Sequence, residues 1–167
     1  MTKTVFWAWG LSICAALIQS ALLMRIAIFH TIPDLTLIIL LYISYINGTM
    51  TGQTLGFISG LALDFISAAP LGFNALIRTI IGAITGLLKG TFFLDIVILP
   101  IALTAVGTLI KAILAFLVHI LFAGAVPAYD IRIPTLWIEL AYNVVLAPFI
   151  FAFLNLFKFV LTPRKDN

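Results

Sequence analysis

The chain has 167 residues, of which 63% are hydrophobic and only 9% are charged, and its formal net charge is +3. A soluble domain is nearer half apolar and a quarter charged, so this composition excludes a water-soluble domain and places the chain in a lipid bilayer. The basic residues lie near the ends of apolar segments, which favours a role in membrane orientation over nucleic-acid binding.

Six apolar segments predict an all-α membrane protein, a polytopic bundle of about six transmembrane helices in one integral membrane domain spanning residues 1–167. The second and third segments are short for a span of about 20 residues, so we expect them to be tilted or only partly exposed to lipid. The expected segments are 4–24, 34–47, 52–67, 72–90, 95–122 and 136–161.

The first segment contains the single cysteine of the chain, Cys14. Its length favours an uncleaved first helix over a signal peptide. Ile13, directly before the cysteine, disfavours a lipoprotein cleavage box, and we expect a packed core cysteine. A single cysteine also argues against an internal disulfide and a Cys-based zinc site.

Turn residues and basic residues indicate how the segments are connected and oriented. Thr31, three residues before Asp34 with Pro33 between them, predicts a helix start, and the Asn47-Gly48 pair predicts a tight turn. An excess of Lys and Arg marks the cytoplasmic side, which predicts that both termini are cytoplasmic. Six spans put Lys3, Lys89, Lys158, Arg164 and Lys165 on that side, and Arg25 and Arg132 on the other.

Glycines recur at every fourth position on both sides of the turn near Pro70. This spacing places them along one face of each helix, where small residues let two membrane helices approach closely. One stripe runs from Gly52, Gly56 and Gly60 to Asp64, and the mirrored stripe runs from Arg78 to Gly82, Gly86 and Gly90.

Asp64 and Arg78 lie at similar distances from this turn, roughly 10 Å deep at about 1.5 Å per residue. An unpaired charge within lipid is costly, so intramembrane charges usually face the bundle interior and pair. We therefore expect an intramembrane ion pair between Asp64 and Arg78. The favoured role is a structural pin that fixes helix register, and contact with a ligand, ion or partner is the alternative.

The other polar residues do not form an enzyme signature. Lys111 and His119 share one face of the fifth segment, where a bundle contact or snorkelling is favoured over a pore-lining role. Glu139 is expected to be solvated or to cap a helix. Ser59 lacks the G-x-S-G context of an intramembrane serine protease. We identify no catalytic, cofactor-binding or metal-ligating residue and expect no cofactor.

"IPDL" at 32–35 opens a helix, and G-x-x-x-G-L-x-x-D with P-x-G follows. This arrangement resembles the rod shape-determining MreD family of bacterial inner membranes, and the resemblance covers most of the chain. The length, hydrophobicity and short charged tail of the chain fit this family too. The positions that carry the resemblance are Pro33, Asp34, Gly56, Gly60, Leu61, Asp64, Pro70 and Gly72.

The resemblance implies a non-enzymatic membrane scaffold subunit of the cell-elongation machinery that synthesises peptidoglycan, located in the bacterial cytoplasmic (inner) membrane. The implied direct partner is the single-span protein MreC. The MreB filament, the RodA glycosyltransferase and a penicillin-binding transpeptidase are implied through the complex. Membrane lipid is also expected as a partner, and nucleic acid is not.

The resemblance also implies a fold similar to the substrate-binding subunits of energy-coupling-factor transporters, and this likeness defines the alternative function. A substrate-binding subunit of a vitamin or small-molecule transporter would need a cavity with convergent polar groups near the outer side. Asp64, Asn74 and Arg78 are the candidates to line such a cavity.

Overall fold

The computed structural model describes residues 2–21, 31–67, 69–91, 97–122 and 134–161, which contain helices and no β-strand. A helix covers most of each predicted segment, although the first, third and sixth begin two or three residues earlier, at Thr2, Thr49 and Pro134. Cys14 is exposed, so the expectation of a packed core cysteine is wrong. Some predicted positions fall outside the described residues. They are the segment ends at 22–24 and 95–96 and the basic residues Arg25, Arg132, Arg164 and Lys165. The helices are α1 (Thr2–Ala21), α2 (Leu35–Asn47), α3 (Thr49–Ile66), α4 (Phe73–Leu87), α5 (Ile98–Leu121), α6 (Pro134–Leu156) and α7 (Lys158–Leu161).

Helix α2 is the central helix of the bundle. Every residue from Thr36 to Ser44 is buried, and the helix packs against α1, α3, α4, α5 and α6. A helix that is apolar on all sides suits this position, because each of its faces meets protein. Gly107 of α5 provides part of the room, since a Cβ there would lie 2.8 Å from both methyl carbons of Leu41. Burial inside the bundle therefore explains the short second segment.

The two glycine stripes face each other in the antiparallel hairpin of α3 and α4. A Cβ added to Gly52 would collide with the backbone carbonyl of Gly82, and a Cβ added to Gly82 would collide with that of Gly52. The backbones are thus in direct contact, as the spacing of four predicts. The other contacts of the stripes are those of Gly56 with the backbone of Arg78, Gly60 with Asn74 and Ala75, and Gly86 with Thr49.

Gly90 does not belong to the packing face that the sequence predicts. Helix α4 ends at Leu87, and Gly90 lies in the following turn with φ +72°. A Cβ added there would meet no atom of the described residues within 4 Å. The physical reason is the left-handed backbone, which needs glycine for its conformation and not for a close approach. Gly72 has the same role at φ +93°, where it precedes α4.

The outer faces of α5 and α6 are apolar. These two helices are long and apolar enough to cross a membrane, whereas the apolar stretches found in α1, α2 and α4 are shorter. Large side chains that would be buried in a water-soluble protein are exposed here, which suits contact with lipid or with other helices. They include Val106, Ile113, Phe116, Leu117 and Ile120 of α5, and Trp137, Val145, Phe149 and Phe153 of α6.

Candidate functional site: a buried charge cluster

Asp34 lies at the centre of a buried charge cluster at the start of α2, and only 2% of its surface is exposed. Its Oδ1 accepts the backbone N–H of Leu37 at 3.0 Å and the hydroxyl of Thr36 at 3.0 Å. Its own N–H donates to Oδ1 of Asn143 at 2.8 Å. Helix α2 therefore starts where the sequence predicts, with Asp34 instead of Thr31 as its N-cap.

Arg78 of α4 supplies the first cation of the cluster. Its Nη2 lies 2.7 Å from each carboxylate oxygen of Asp34, and only 3% of the arginine is exposed. Hydrogen bonds between two charged groups at this length are among the stronger ones in proteins. The pair joins α4 to the N-terminus of α2, although the two residues are 44 positions apart in the sequence.

The predicted ion pair between Asp64 and Arg78 is wrong, because the Asp64 carboxylate accepts other donors. Its Oδ1 accepts both the backbone N–H and the side-chain Nδ2 of Asn74 at 2.9 Å. Its Oδ2 accepts the N–H of Gly72 at 2.9 Å and that of Ala75 at 3.2 Å. The first turn of a helix exposes N–H groups without internal partners, and an anion is stabilised there.

Helix depth explains why the arginine is free to bind elsewhere. Asp64 lies two residues before the end of α3, whereas Arg78 lies five residues after the start of α4. The difference of about three residues corresponds to roughly 5 Å along the helix axis. Asp64 thus reaches the beginning of α4, while Arg78 lies deeper in the bundle, level with the beginning of α2.

Lys111 of α5 and Glu139 of α6 complete the cluster. Nζ of Lys111 lies 2.7 Å from Oδ2 of Asp34 and 2.6 Å from Oε1 of Glu139. The glutamate is 4% exposed, so the expectation that it is solvated is wrong. Lys111 makes the bundle contact that the sequence favours. His119 lies two turns further along the same helix and is half-buried.

A neutral hydrogen bond continues the cluster between α5 and α6. Nδ2 of Asn143 donates to the hydroxyl of Thr108 at 3.2 Å, while Oδ1 of the same amide accepts the N–H of Asp34. Asn143 is fully buried, with 0% of its surface exposed. It therefore links α5 and α6 to the N-terminus of α2 without adding charge.

The cluster combines two acids, Asp34 and Glu139, with two bases, Arg78 and Lys111, and its formal charge is zero. Buried ion pairs are tolerated when their remaining hydrogen-bonding groups are also satisfied. The hydrogen bonds of Asp34 to backbone and hydroxyl groups meet this condition on the acidic side. Four helices, α2, α4, α5 and α6, are joined by one set of contacts.

Comparison with known protein families identifies the chain. The model of the family described as rod shape-determining protein MreD matches residues 1–157. The chain belongs to the MreD family. Members of this family are membrane proteins that act in rod-shape determination, in agreement with the two long apolar helices of this chain. Comparisons with curated proteins and with solved structures gave no match.

Proposed function

We propose that this MreD-family chain is a non-enzymatic scaffold subunit of the machinery that elongates the cell and synthesises peptidoglycan. In this proposal it binds MreC directly through transmembrane helices. It contacts MreB, RodA and the penicillin-binding transpeptidase through the complex. The observation that carries the proposal is the family match over residues 1–157, which includes the whole of α1 to α6.

The proposed membrane arrangement has six spans and both termini in the cytoplasm. Contacts at one end of the bundle support it: Nζ of Lys89 donates to the backbone carbonyl of Asn47 at 3.1 Å, and Nδ2 of Asn47 donates to that of Leu161 at 2.9 Å. Lys89 and α7, which begins at Lys158, therefore share one end. An excess of basic residues on one side favours the cytoplasm there. The likeness to energy-coupling-factor subunits is part of the same proposal.

The transporter alternative is disfavoured by the size of the polar crevice beside Arg78. Its volume is about 160 Å³, whereas sites for drug-sized ligands usually have about 300–1,000 Å³. Asn74 and Arg78 line the crevice, but the Asp64 carboxylate is held by the start of α4. A vitamin-sized molecule would not fit this crevice without a rearrangement of the helices. The space of about 310 Å³ beside Leu71 and Phe122 is larger, but its lining is apolar and lacks the convergent polar groups of such a site.

Affinity co-purification from detergent-solubilised membranes tests the scaffold proposal. Tagged chain should bring down MreC, together with MreB and RodA in smaller amounts because their contacts are indirect. Recovery of transporter ATPases instead of MreC would contradict the proposal. Two single variants then locate the docking face: Phe116→Ala on α5 and Phe149→Ala on α6 each remove an exposed ring without disturbing the core.

These two variants are matched controls for each other. Both rings are exposed, so we expect each variant to fold like the wild type, since exposed substitutions usually change stability by less than about 0.5 kcal/mol. A loss of MreC with only one of them assigns that helix to the interface. Recovery of MreC at the wild-type level with both variants would place the interface on other helices.

A further inference from the structure

The apolar space of about 310 Å³ is a groove between the start of α4 and the end of α5. Its lining comes from the turn between α3 and α4, from the first turn of α4 and from the C-terminal end of α5, and none of the described residues that line it is charged. They include Leu71, Phe73, Leu76, Val118 and Phe122. A ligand of this groove would therefore be held by apolar contacts.

The groove is continuous with the lipid-facing surface of the bundle. Leu71, Leu76 and Phe122 are at least half exposed at its rim, and Leu121 of α5 is exposed directly beside it. In a member of a membrane-protein family, an exposed apolar surface of this kind suits contact with lipid. The buried side of the groove is formed by Val118, which is 9% exposed. The lipid-facing surface thus turns inward between α4 and α5.

The backbone at the groove is compatible with hydrocarbon. Backbone N–H groups in contact with lipid need partners within the protein, because no water is present to accept their hydrogen bonds. The N–H of Gly72 donates to Oδ2 of Asp64 at 2.9 Å, and that of Phe73 donates to the carbonyl of Pro70 at 3.1 Å. The N–H of Leu76 donates to the carbonyl of Gly72 at 2.9 Å. Hydrocarbon can therefore cover these groups without the loss of a hydrogen bond.

The size of the groove favours a lipid chain over a helix of another protein. One turn of an α-helix is about 5.4 Å long and about 10 Å wide, which corresponds to roughly 400 Å³. This exceeds the groove volume of about 310 Å³. A methylene group is about the size of a water molecule, roughly 30 Å³, so the groove holds a chain of about ten methylene groups.

We propose that this groove binds the acyl chain of a bilayer phospholipid, held between α4 and α5 at the end of the bundle opposite Lys89. The hydrophobic effect does not drive this binding, because lipid tails are as apolar as the groove. The binding depends on packing, since a chain that fills the groove gains dispersion contacts on two sides. This site is additional to the proposed scaffold role and does not depend on MreC.

The test uses the full-length chain in vesicles of phosphatidylcholine, a small share of which carries a photoreactive diazirine on one acyl chain. The protein is solubilised in detergent and separated from loosely held lipid, and irradiation then attaches only the lipid that is retained. Peptide mass spectrometry locates the attachment. We expect it at Leu71, Leu76 and Phe122, and not at Val106 and Leu109, which are also exposed but lie on α5 away from the groove.

The decisive variant is Val118→Phe, which fills the buried side of the groove, and its matched control is Val106→Phe on the exposed face of the same helix. We expect Val118→Phe to lower attachment at Phe122 roughly tenfold, since the ring takes the room of about two methylene groups and removes their packing. Val106→Phe should behave like the wild type. Equal attachment in Val118→Phe and the wild type, or attachment at Val106 as strong as at Phe122, would overturn the proposal.

A second variant keeps the test decisive if Val118→Phe does not fold. Leu76→Trp places a large ring at the half-exposed rim of the groove, and Leu109→Trp is its control outside the groove. We expect only Leu76→Trp to reduce attachment at Phe122, and unchanged attachment there would overturn the proposed location. Absence of retained lipid from the wild type would overturn the proposal itself, and a dimer that Leu76→Trp dissociates would then assign the groove to a second copy of the chain.

Discussion

The α3–α4 hairpin and the Asp34 cluster are two regions of the same bundle that are held together in opposite ways. The hairpin depends on missing side chains, because Gly52 and Gly82 bring two backbones into contact. The cluster depends on matched side chains, because Asp34 binds both Arg78 and Lys111. The first region should therefore be sensitive to any added atom, and the second to the removal of one partner.

Arg78 belongs to both regions. Its backbone carbonyl faces Gly56 across the hairpin, while its side chain reaches Asp34 at the start of α2. The glycine stripe thus fixes the position of the α4 backbone from which the guanidinium extends. Close packing on one face of α4 determines where the charge lies on another.

The largest expected effect is that of Asp34→Ala. This change leaves Arg78 buried without a carboxylate and removes the N-cap of α2. Breaking a buried ion pair by removing one partner costs about 3–5 kcal/mol. Equilibrium unfolding of the purified chain in detergent, by denaturant titration or steric trapping, measures this loss.

The double variant Asp34→Ala/Arg78→Ala is the control for charge burial. It removes the stranded guanidinium, while Lys111 keeps its contact with Glu139. We expect the double variant to be more stable than Asp34→Ala alone. A double variant that is equally or less stable would mean that packing, and not charge pairing, dominates this region.

The next effect in size is that of Gly52→Ala in the hairpin. The added Cβ meets the carbonyl group of Gly82, which is backbone and cannot turn aside. Overpacking of this kind usually costs about 1–3 kcal/mol. The same unfolding measurement in detergent gives the value.

Gly10→Ala is the matched control, because Gly10 is also within a helix but a Cβ added to it would meet no atom of the described residues within 4 Å. Alanine is favoured over glycine in a helix interior by about 0.5–1 kcal/mol. We expect Gly10→Ala to be neutral or slightly stabilising. Destabilisation by both variants to the same extent would argue against close packing as the cause.

The hairpin could be predicted from the sequence because its signal is local. A spacing of four places glycines on one helix face, and a short turn forces the two faces together. Among the stripe glycines, the prediction failed only at Gly90, where the helix ends first and glycine is needed for a left-handed turn. The ion pair predicted across the same hairpin also failed, because Arg78 binds Asp34 instead of Asp64. Sequence spacing does not distinguish these two uses of glycine.

The cluster could be predicted only in part, because its contacts join residues far apart in the chain. Asp34 and Lys111 are 77 positions apart, and no periodicity relates them. Two signals were nevertheless present. Lys111 lies in the middle of a long apolar helix, where a buried cation needs an acidic partner. The start of α4 has no capping side chain of its own, so the Asp64 carboxylate was needed there and Arg78 needed a different acid.

The smallest expected effect is that of Asp64→Ala, which tests the assignment of Arg78 to Asp34. The change removes the acceptor for the N–H groups of Gly72, Asn74 and Ala75. Loss of a helix cap costs about 0.5–2 kcal/mol. The effect should be smaller than that of Asp34→Ala, because no buried cation loses its partner.

A double-mutant cycle decides between the two carboxylates. Asp64 and Arg78 share no hydrogen-bond partner among the described residues, so the effects of Asp64→Ala and Arg78→Ala should add within about 0.5 kcal/mol. Asp34→Ala and Arg78→Ala should instead be strongly non-additive, because each removes the same contact. Strong coupling of Arg78 to Asp64 and weak coupling to Asp34 would restore the pairing that the sequence predicts, and would leave the contact between α2 and α4 to packing alone.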